Sequence, residues 1–418
     1  MDHKEKVRRM ALVHLSFTPS APIKSHDLFA GRIKQVNRVI NTIFQSGQHA
    51  ILFGERGIGK TSLANTLFDT LVLGGKANYK FARINCSEQM DYEDIWRTIF
   101  RQFEVETKDG ITTLDDSLIG NPPHPENVRE VFQLVGSESI VVIDEMDRIA
   151  DDSTQIAIAD TIKTLSDNAI GTTLILVGVA DTVDELIANH QSINRALVQV
   201  HMQPMSKAEL LEIVDKGMSR CEMTVDPAVK ERLADYAQGL PSYTHLLAKE
   251  AALHAISSER THIYKEDLKD AIEEAVNSQL ESNLTAYNTA VSSPRGQNFK
   301  PVLLACALAK KDDQGFCFAR DLINPLRMIT NKKYDIPAFA KHLKAFRDPS
   351  RGPILERRGT PRKYRYRFIM PLMGPYVILR GLADGLIREE QLSHPSPSST
   401  EPEQLSLLSA SGAPPIEI

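Results

Sequence analysis

Eight residues, GERGIGKT from Gly54 to Thr61, have the types and spacing of a loop that holds a phosphate chain. An apolar run, Ala50 to Phe53, leads into it, and a helix-compatible stretch, SLANTLFDTLVLG, leaves it at Ser62. Strand, glycine-rich turn and helix are the context this chemistry needs, because the glycines let backbone amides converge on phosphate oxygens at a helix N-terminus. Lys60 would place a cation on the β- and γ-phosphates, and the Thr61 hydroxyl would bind Mg²⁺. The expected nucleotide-binding set is Gly54, Glu55, Arg56, Gly57, Ile58, Gly59, Lys60, Thr61 and Ser62. A second apolar segment, SIVVIDEMDRI, delivers Asp144 and Glu145 at its C-terminal end, where parallel sheets bind ligands. Asp144 is expected to hold the Mg²⁺ through water and Glu145 to polarise an attacking water as general base, with Asp147 a surface or interface position.

Positioning these groups takes a sheet. Short apolar runs at Phe81 to Asn85, Ile140 to Ile143 and Thr173 to Val177 alternate with helical patterns, which predicts a parallel α/β core. Lys108 to Glu126, with DG, GN and PP, reads as a long loop. A last strand near Leu197 to Met202 gives way to purely helical text, opened by Ser206 and Glu209 in capping-box spacing and running to about Ser282. The breakers SSPRGQ, Ser292 to Gln297, read as a linker. Beyond it, helix-like pieces at Pro301 to Lys311, Ala319 to Ile329 and Ile336 to Phe346 precede two strand-like runs around a Gly-Thr-Pro turn, a winged-helix pattern. The predicted organisation is an N-terminal extension (1–24), a nucleotide-binding core (25–204), a helical lid (205–283), a linker (284–297), a winged helix (298–390) and a disordered Ser/Pro-rich tail (391–418).

The chain has 418 residues, enough for two to four domains of roughly 100–200 residues each, and its 42% hydrophobic and 25% charged content is that of a folded protein. No apolar run approaches the roughly 18–20 residues of a membrane-spanning helix, and the basic N-terminus lacks the apolar core of a secretion signal, so a cytoplasmic protein with no membrane role is expected. Cys86, Cys221, Cys306 and Cys317 form no CxxC and predict neither a disulfide framework nor a zinc site. The net charge of -5 hides an asymmetry: residues 298–390 hold 19 Lys/Arg against 9 Asp/Glu. A polyanion-facing module joined to an acidic one accounts for that split.

These motifs together resemble AAA+ ATPases, in particular the origin-recognition and replication-licensing initiator-like branch, over roughly Pro22 to Gly385. The resemblance implies a P-loop parallel-sheet core with an all-α lid and a C-terminal winged helix, ATP and Mg²⁺ as cofactors, ATP hydrolysis (slow, given the departure at Asp181), homo-oligomeric assembly and duplex DNA as partner. It places Leu28 and Phe29 of SHDLFAGR against adenine, although a hydrophobic staple at the start of the following helix explains them equally. It puts Asp181 of LILVGVADT at the sensor 1 position, where the family usually carries Asn. A carboxylate beside a triphosphate is repelled, so Asp181 must take up a proton or leave the role to Thr182. Arg195 of SINRALVQV falls where the family has its arginine finger, which reaches the ATP of a neighbouring subunit; a surface ion pair is the plain alternative. The lid lacks the usual sensor 2 arginine. After Pro241 it offers Ser242, Tyr243, Thr244 and His245, a GLP turn similar to that of STAND signalling ATPases, where proline and histidine contact the nucleotide. In a winged helix the third helix enters the major groove and the wing touches phosphate. The DNA-binding set is therefore Lys341, Lys344, Arg357, Arg358, Arg362, Lys363 and Arg365, with the basic wing as a protein-contact or merely solvated face the alternatives. A STAND-like signalling or defence ATPase whose winged helix binds a protein effector is the competing functional expectation.

Overall fold

The computed structural model describes residues 1–23, 26–73, 79–107, 110–116, 122–135, 138–187, 193–278, 281–292, 298–312 and 314–392. Helices α1 (His3–Ser16) and α2 (Ile33–Ile43) precede β1 (His49–Gly54), α3 (Lys60–Leu73), β2 (Lys80–Asn85) and α4 (Tyr92–Phe100). A hairpin, β3 (Glu104–Thr107) and β4 (Gly110–Thr113), then leads to α5 (Pro125–Val135), β5 (Ser139–Asp144), α6 (Asp152–Asp167), β6 (Thr172–Val179) and β7 (Leu197–His201). Strands β1, β2, β5, β6 and β7 form one parallel sheet in the order β2-β5-β6-β1-β7. All six residues of β1 and of β5 are buried, which is why both read as unbroken apolar runs rather than alternating ones: helices cover both faces of a parallel sheet. One face packs on an aromatic cluster of Trp96, Phe100, Phe103 and Phe132. Buried residues on the other face run without a break through the lid into the winged helix.

The lid comprises α7 (Lys207–Arg220), β8 (Thr224–Val225), α8 (Pro227–Ala237), α9 (Pro241–Ser257), β9 (His262–Ile263), α10 (Lys265–Asn277) and α11 (Glu281–Val291). The Ser206–Glu209 capping box is formed in both directions at the start of α7. The winged helix follows as α12 (Phe299–Leu308), β10 (Cys317–Phe318), α13 (Ile323–Thr330), α14 (Ile336–Ala345), β11 (Leu355–Arg358), β12 (Arg365–Phe368), α15 (Met373–Ala383) and α16 (Glu389–Leu392), with its strands in the order β10-β12-β11.

Two sequence expectations need correction. Within the expected Lys108–Glu126 loop, Gly110–Thr113 form β4, paired with β3, and Pro125 and Glu126 begin α5, while residues 108, 109 and 117–121 lie outside the described residues. The linker expected at 284–297 is helical as far as Val291, because Tyr287 and Ala290 on one side of α11 are buried in the core. The N-terminal extension packs on the body of the chain: α1 buries Val13, and Phe17 beyond its end, in the core that the lid contributes to. Residues 293–297 of the expected linker and 393–418 of the expected tail lie outside the described residues.

Candidate functional site

Strand order decides what meets what. β6 lies between β1 and β5, so the C-terminal ends of three neighbouring strands carry the glycine-rich loop, Asp181 and the Asp144–Glu145 pair side by side. Beside them opens a cavity of about 840 Å³ lined by Arg56 to Ser62, Asp144, Glu145, Asp147, Leu28, Phe29 and Pro241, among others. That size suits a nucleotide.

The loop bends as a phosphate cradle does. Gly57 (φ +85°) takes a left-handed conformation, and a Cβ there would lie 3.1 Å from Leu372 of the winged helix. Lys60, at the first turn of α3, is buried and donates to the carbonyls of Gly54 (2.9 Å) and Glu55 (2.7 Å), so the ammonium is folded onto its own loop. Burial pulls its pKa down to about 8, against the opposing pull of Asp147 and Asp144.

Asp144 is almost fully buried. One carboxylate oxygen accepts from the Glu145 amide (2.8 Å) and the other from the Arg83 guanidinium (2.7 Å). Arg83 was missed by sequence reasoning, since only the β2–β5 register, where it pairs with Val142 two residues from Asp144 and on the same face, brings it there. Glu145 sits in a left-handed conformation (φ 58°) at the cavity wall and pairs with Arg148 at 3.2 Å. Asp147, expected as a surface or interface position, is exposed; it lines the cavity and accepts from the Val179 amide (2.8 Å), tying the end of β6 to the acidic turn.

At the other end, Leu28 is buried and Phe29 partly so, and both line the cavity with Thr18 to Ile23. Arg32 fixes this segment: its amide donates to Glu209 (2.8 Å) in the lid and its side chain to the Ile58 carbonyl (3.0 Å) in the loop. Pro241, Ser242 and His245 close the lid side. His245 is 6% exposed, meets Phe17 edge-on, and has its pKa pulled by burial to about 4, so it is neutral. Its Nδ1 and the Ser242 Oγ are buried polar atoms without a hydrogen-bond partner among the described residues, which fits a polar ligand in the cavity. Thr61 and Asp144 bring to the cavity oxygen donors of the kind Mg²⁺ takes; among the described residues no cluster of three or more His, Cys, Asp or Glu forms a separate metal site.

Asp181 departs from the first alternative the sequence offered, a carboxylate that takes up a proton. Its carboxylate accepts from both Arg367 Nη atoms (2.7 and 2.9 Å) and pairs with Arg358 (2.5 Å), both on the wing. The Arg367 hydrogen bonds hold its pKa below the ordinary carboxylate value, so it takes up no proton.

The winged-helix basic residues divide accordingly. Arg358 faces Asp181, and Arg365 pairs with Asp312 at 2.6 Å, so neither lies on a free polyanion-facing surface as expected; the carboxylates they meet are far away in sequence or on another turn of the same domain. Arg357 lies over the Tyr364 ring (3.8 Å). Arg362 and Lys363 are exposed at the wing tip with no ion pair among the described residues, and Lys341 and Lys344 are exposed on α14. Arg195 is 79% exposed and pairs with Asp167 at 2.8 Å, a surface contact.

Among known proteins, residues 43–187 match the family described as AAA domain. No curated protein matches the chain. Among solved structures, Cdc6p of Pyrobaculum aerophilum is 17% identical, covers 90% of this chain and 99% of its own, and has a TM-score of 0.46. The Aeropyrum pernix ORC2 protein, solved as ADPNP and ADP complexes, is 14% identical over 91% of this chain and 98% of its own, with a TM-score of 0.49. The RuvB Holliday junction branch migration motor of Thermotoga maritima is 14% identical over 82% of this chain and 94% of its own, with a TM-score of 0.44. The family match falls on the segment that carries the phosphate loop, the Asp144–Glu145 pair and the Asp181 strand end, and this chain therefore has an AAA+ nucleotide-binding core of the P-loop type.

Proposed function

We propose that the chain is an ATP-binding and ATP-hydrolysing AAA+ switch of the initiator-like kind, which assembles with copies of itself and docks duplex DNA through its winged helix. The observation that carries the enzymatic half is the convergence of Lys60, Thr61, Asp144 and Glu145 on one cavity. MgATP brings a phosphoanhydride and a divalent ion that neutralises developing charge. Lys60 turns from the Gly54 and Glu55 carbonyls toward the phosphates, and the amides at the start of α3 supply the remaining donors. Thr61 and Asp144 hold the ion; Arg83 keeps the Asp144 carboxylate in place. Glu145 takes the proton of the attacking water. Arg195, exposed and paired on the surface with Asp167, is free to reach a neighbouring subunit. Lys341, Lys344, Arg362 and Lys363 are the exposed cations that meet phosphate.

A second reading has a specific observation behind it. Pro241, Ser242 and His245 of the GLP turn line the cavity together with Leu372 of the winged helix, as suits a STAND-like signalling ATPase whose winged helix serves a protein effector. Titration of MgATP into the full chain, with phosphate release followed in parallel, tests the enzymatic half: binding with slow turnover supports it, and absence of binding overturns it.

A further inference from the structure

The winged helix is fastened to the nucleotide-binding core by a compact ion cluster. Arg367, only 13% exposed, forks onto Asp181, which is 11% exposed, and also donates to Glu356 (2.6 Å) and to the Gln314 carbonyl (3.1 Å). Its Nη1 lies 3.5 Å from Glu55 in the phosphate loop. Arg358 adds a second cation to Asp181, and the Phe316 ring underlies the guanidinium groups of Arg358, Arg365 and Arg367 at 5.3, 5.1 and 4.5 Å. The approach is close enough to require Gly315 (φ +76°), where a Cβ would fall 2.6 Å from the Glu55 carboxylate. Alongside it, the Tyr243 hydroxyl donates to the Leu372 carbonyl (2.9 Å).

We infer that this cluster is a latch: Asp181 and Glu55 hold Arg358 and Arg367 against the core, and so mask two of the wing's cations from any phosphate backbone until the latch opens. The grip is charge on charge, which a polyanion offers equally well, so docking on the core and docking on a duplex compete for the same guanidinium groups. The winged helix remains packed on the lid through α8, α10 and α15, so loss of the pairing frees its face toward the core rather than detaching the domain. The duplex half of the inference rests on the proposed DNA docking; the latch itself does not.

The test uses the full chain carrying Thr360→Cys on the wing turn and Asp160→Cys on the core, both exposed positions; the four native cysteines are buried, so dye labelling is selective. Energy transfer between the labels reads closure without DNA. Asp181→Asn and, independently, Arg367→Gln are each expected to shift the closed-to-open ratio by roughly tenfold or more, as loss of a charge-assisted pair does. The double variant should open by less than the product of the two single effects, since the Arg367–Asp181 contact is common to both while Arg358–Asp181 and Arg367–Glu55 are lost separately. Unchanged transfer in both single variants overturns the latch. On a duplex of about 20 base pairs, Asp181→Asn should steepen the salt dependence by about 0.9 for each guanidinium released onto phosphate. Opening with an unaltered slope overturns the masking, whereas opening with no duplex affinity in parent or variant leaves the latch standing and removes the DNA reading.

Discussion

The phosphate loop and the wing strand are the two most conspicuous polar stretches of the chain, and they differ in where their partners lie. Lys60 finds its acceptors five and six residues away, within the same loop. Arg367 finds Asp181 across 186 positions and Glu55 across 312. Local pairing makes a motif readable from eight residues, because backbone geometry alone fixes what the side chains face. Long-range pairing hides in composition: the wing's cations read as a surface, yet carboxylates anywhere else in the chain could claim them. A charge cluster in a sequence states what it can bind, not which anion gets there first.

Variants sharpen that contrast. The largest effect belongs to the local site: Glu145→Gln should leave MgATP binding intact while turnover falls by about 10²- to 10⁴-fold, the contribution of a positioned general base. Retained turnover under single-turnover conditions would remove Glu145 from that role. Lys60→Ala should cost about 10- to 100-fold in nucleotide affinity by calorimetry, the worth of charge-assisted hydrogen bonds. Because burial sets the Lys60 pKa in the free chain at about 8, its cation is present below that pH and lost above it. Affinity should therefore hold below about pH 8 and decline above it by up to about tenfold per pH unit, with proton uptake on binding, and Lys60→Ala should abolish the dependence.

The long-range region should respond more gently. Replacing Arg362 and Lys363 by Ala should flatten the salt slope of duplex binding by about 1.8, two phosphate contacts at about 0.9 each, and leave ATP binding unchanged. A variant that binds like the parent would take the wing tip out of the interface. The smallest effect is on stability: Arg195→Ala removes one exposed pair with Asp167, worth about 0–1 kcal/mol, so thermal unfolding should barely move. Hydrolysis should nonetheless drop, and mixing Arg195→Ala with Glu145→Gln protein should restore part of it. Co-assembly with no recovery at any ratio would exclude an arginine supplied by a neighbour.

Strand positions, the helix breaks around them and the capping box at Ser206 were legible because each depends on periodicity or on residues within a turn of one another. The order of the sheet, which brings Asp181 beside Asp144, was not, since no local pattern encodes which strands neighbour each other. Arg83 lay unread for the same reason: only the β2–β5 register gives it Asp144 as partner. His245 and Ser242 were visible as a turn, but their unpartnered polar atoms appear only once α9 is seated against the loop. Asp181 marks the limit most clearly. Its likeness to sensor 1 was readable from LILVGVADT, while the cations that keep it ionised come from a different domain far along the chain.

The account turns on a winged helix whose cations answer to a polyanion. The most direct measurement is equilibrium binding of the full chain, with MgATP, to a short duplex across a series of salt concentrations. The account predicts that log K falls linearly with log salt, by about 0.9 for each phosphate neutralised. Affinity that is absent, or that does not change with salt, would contradict it and leave the protein-effector reading in its place.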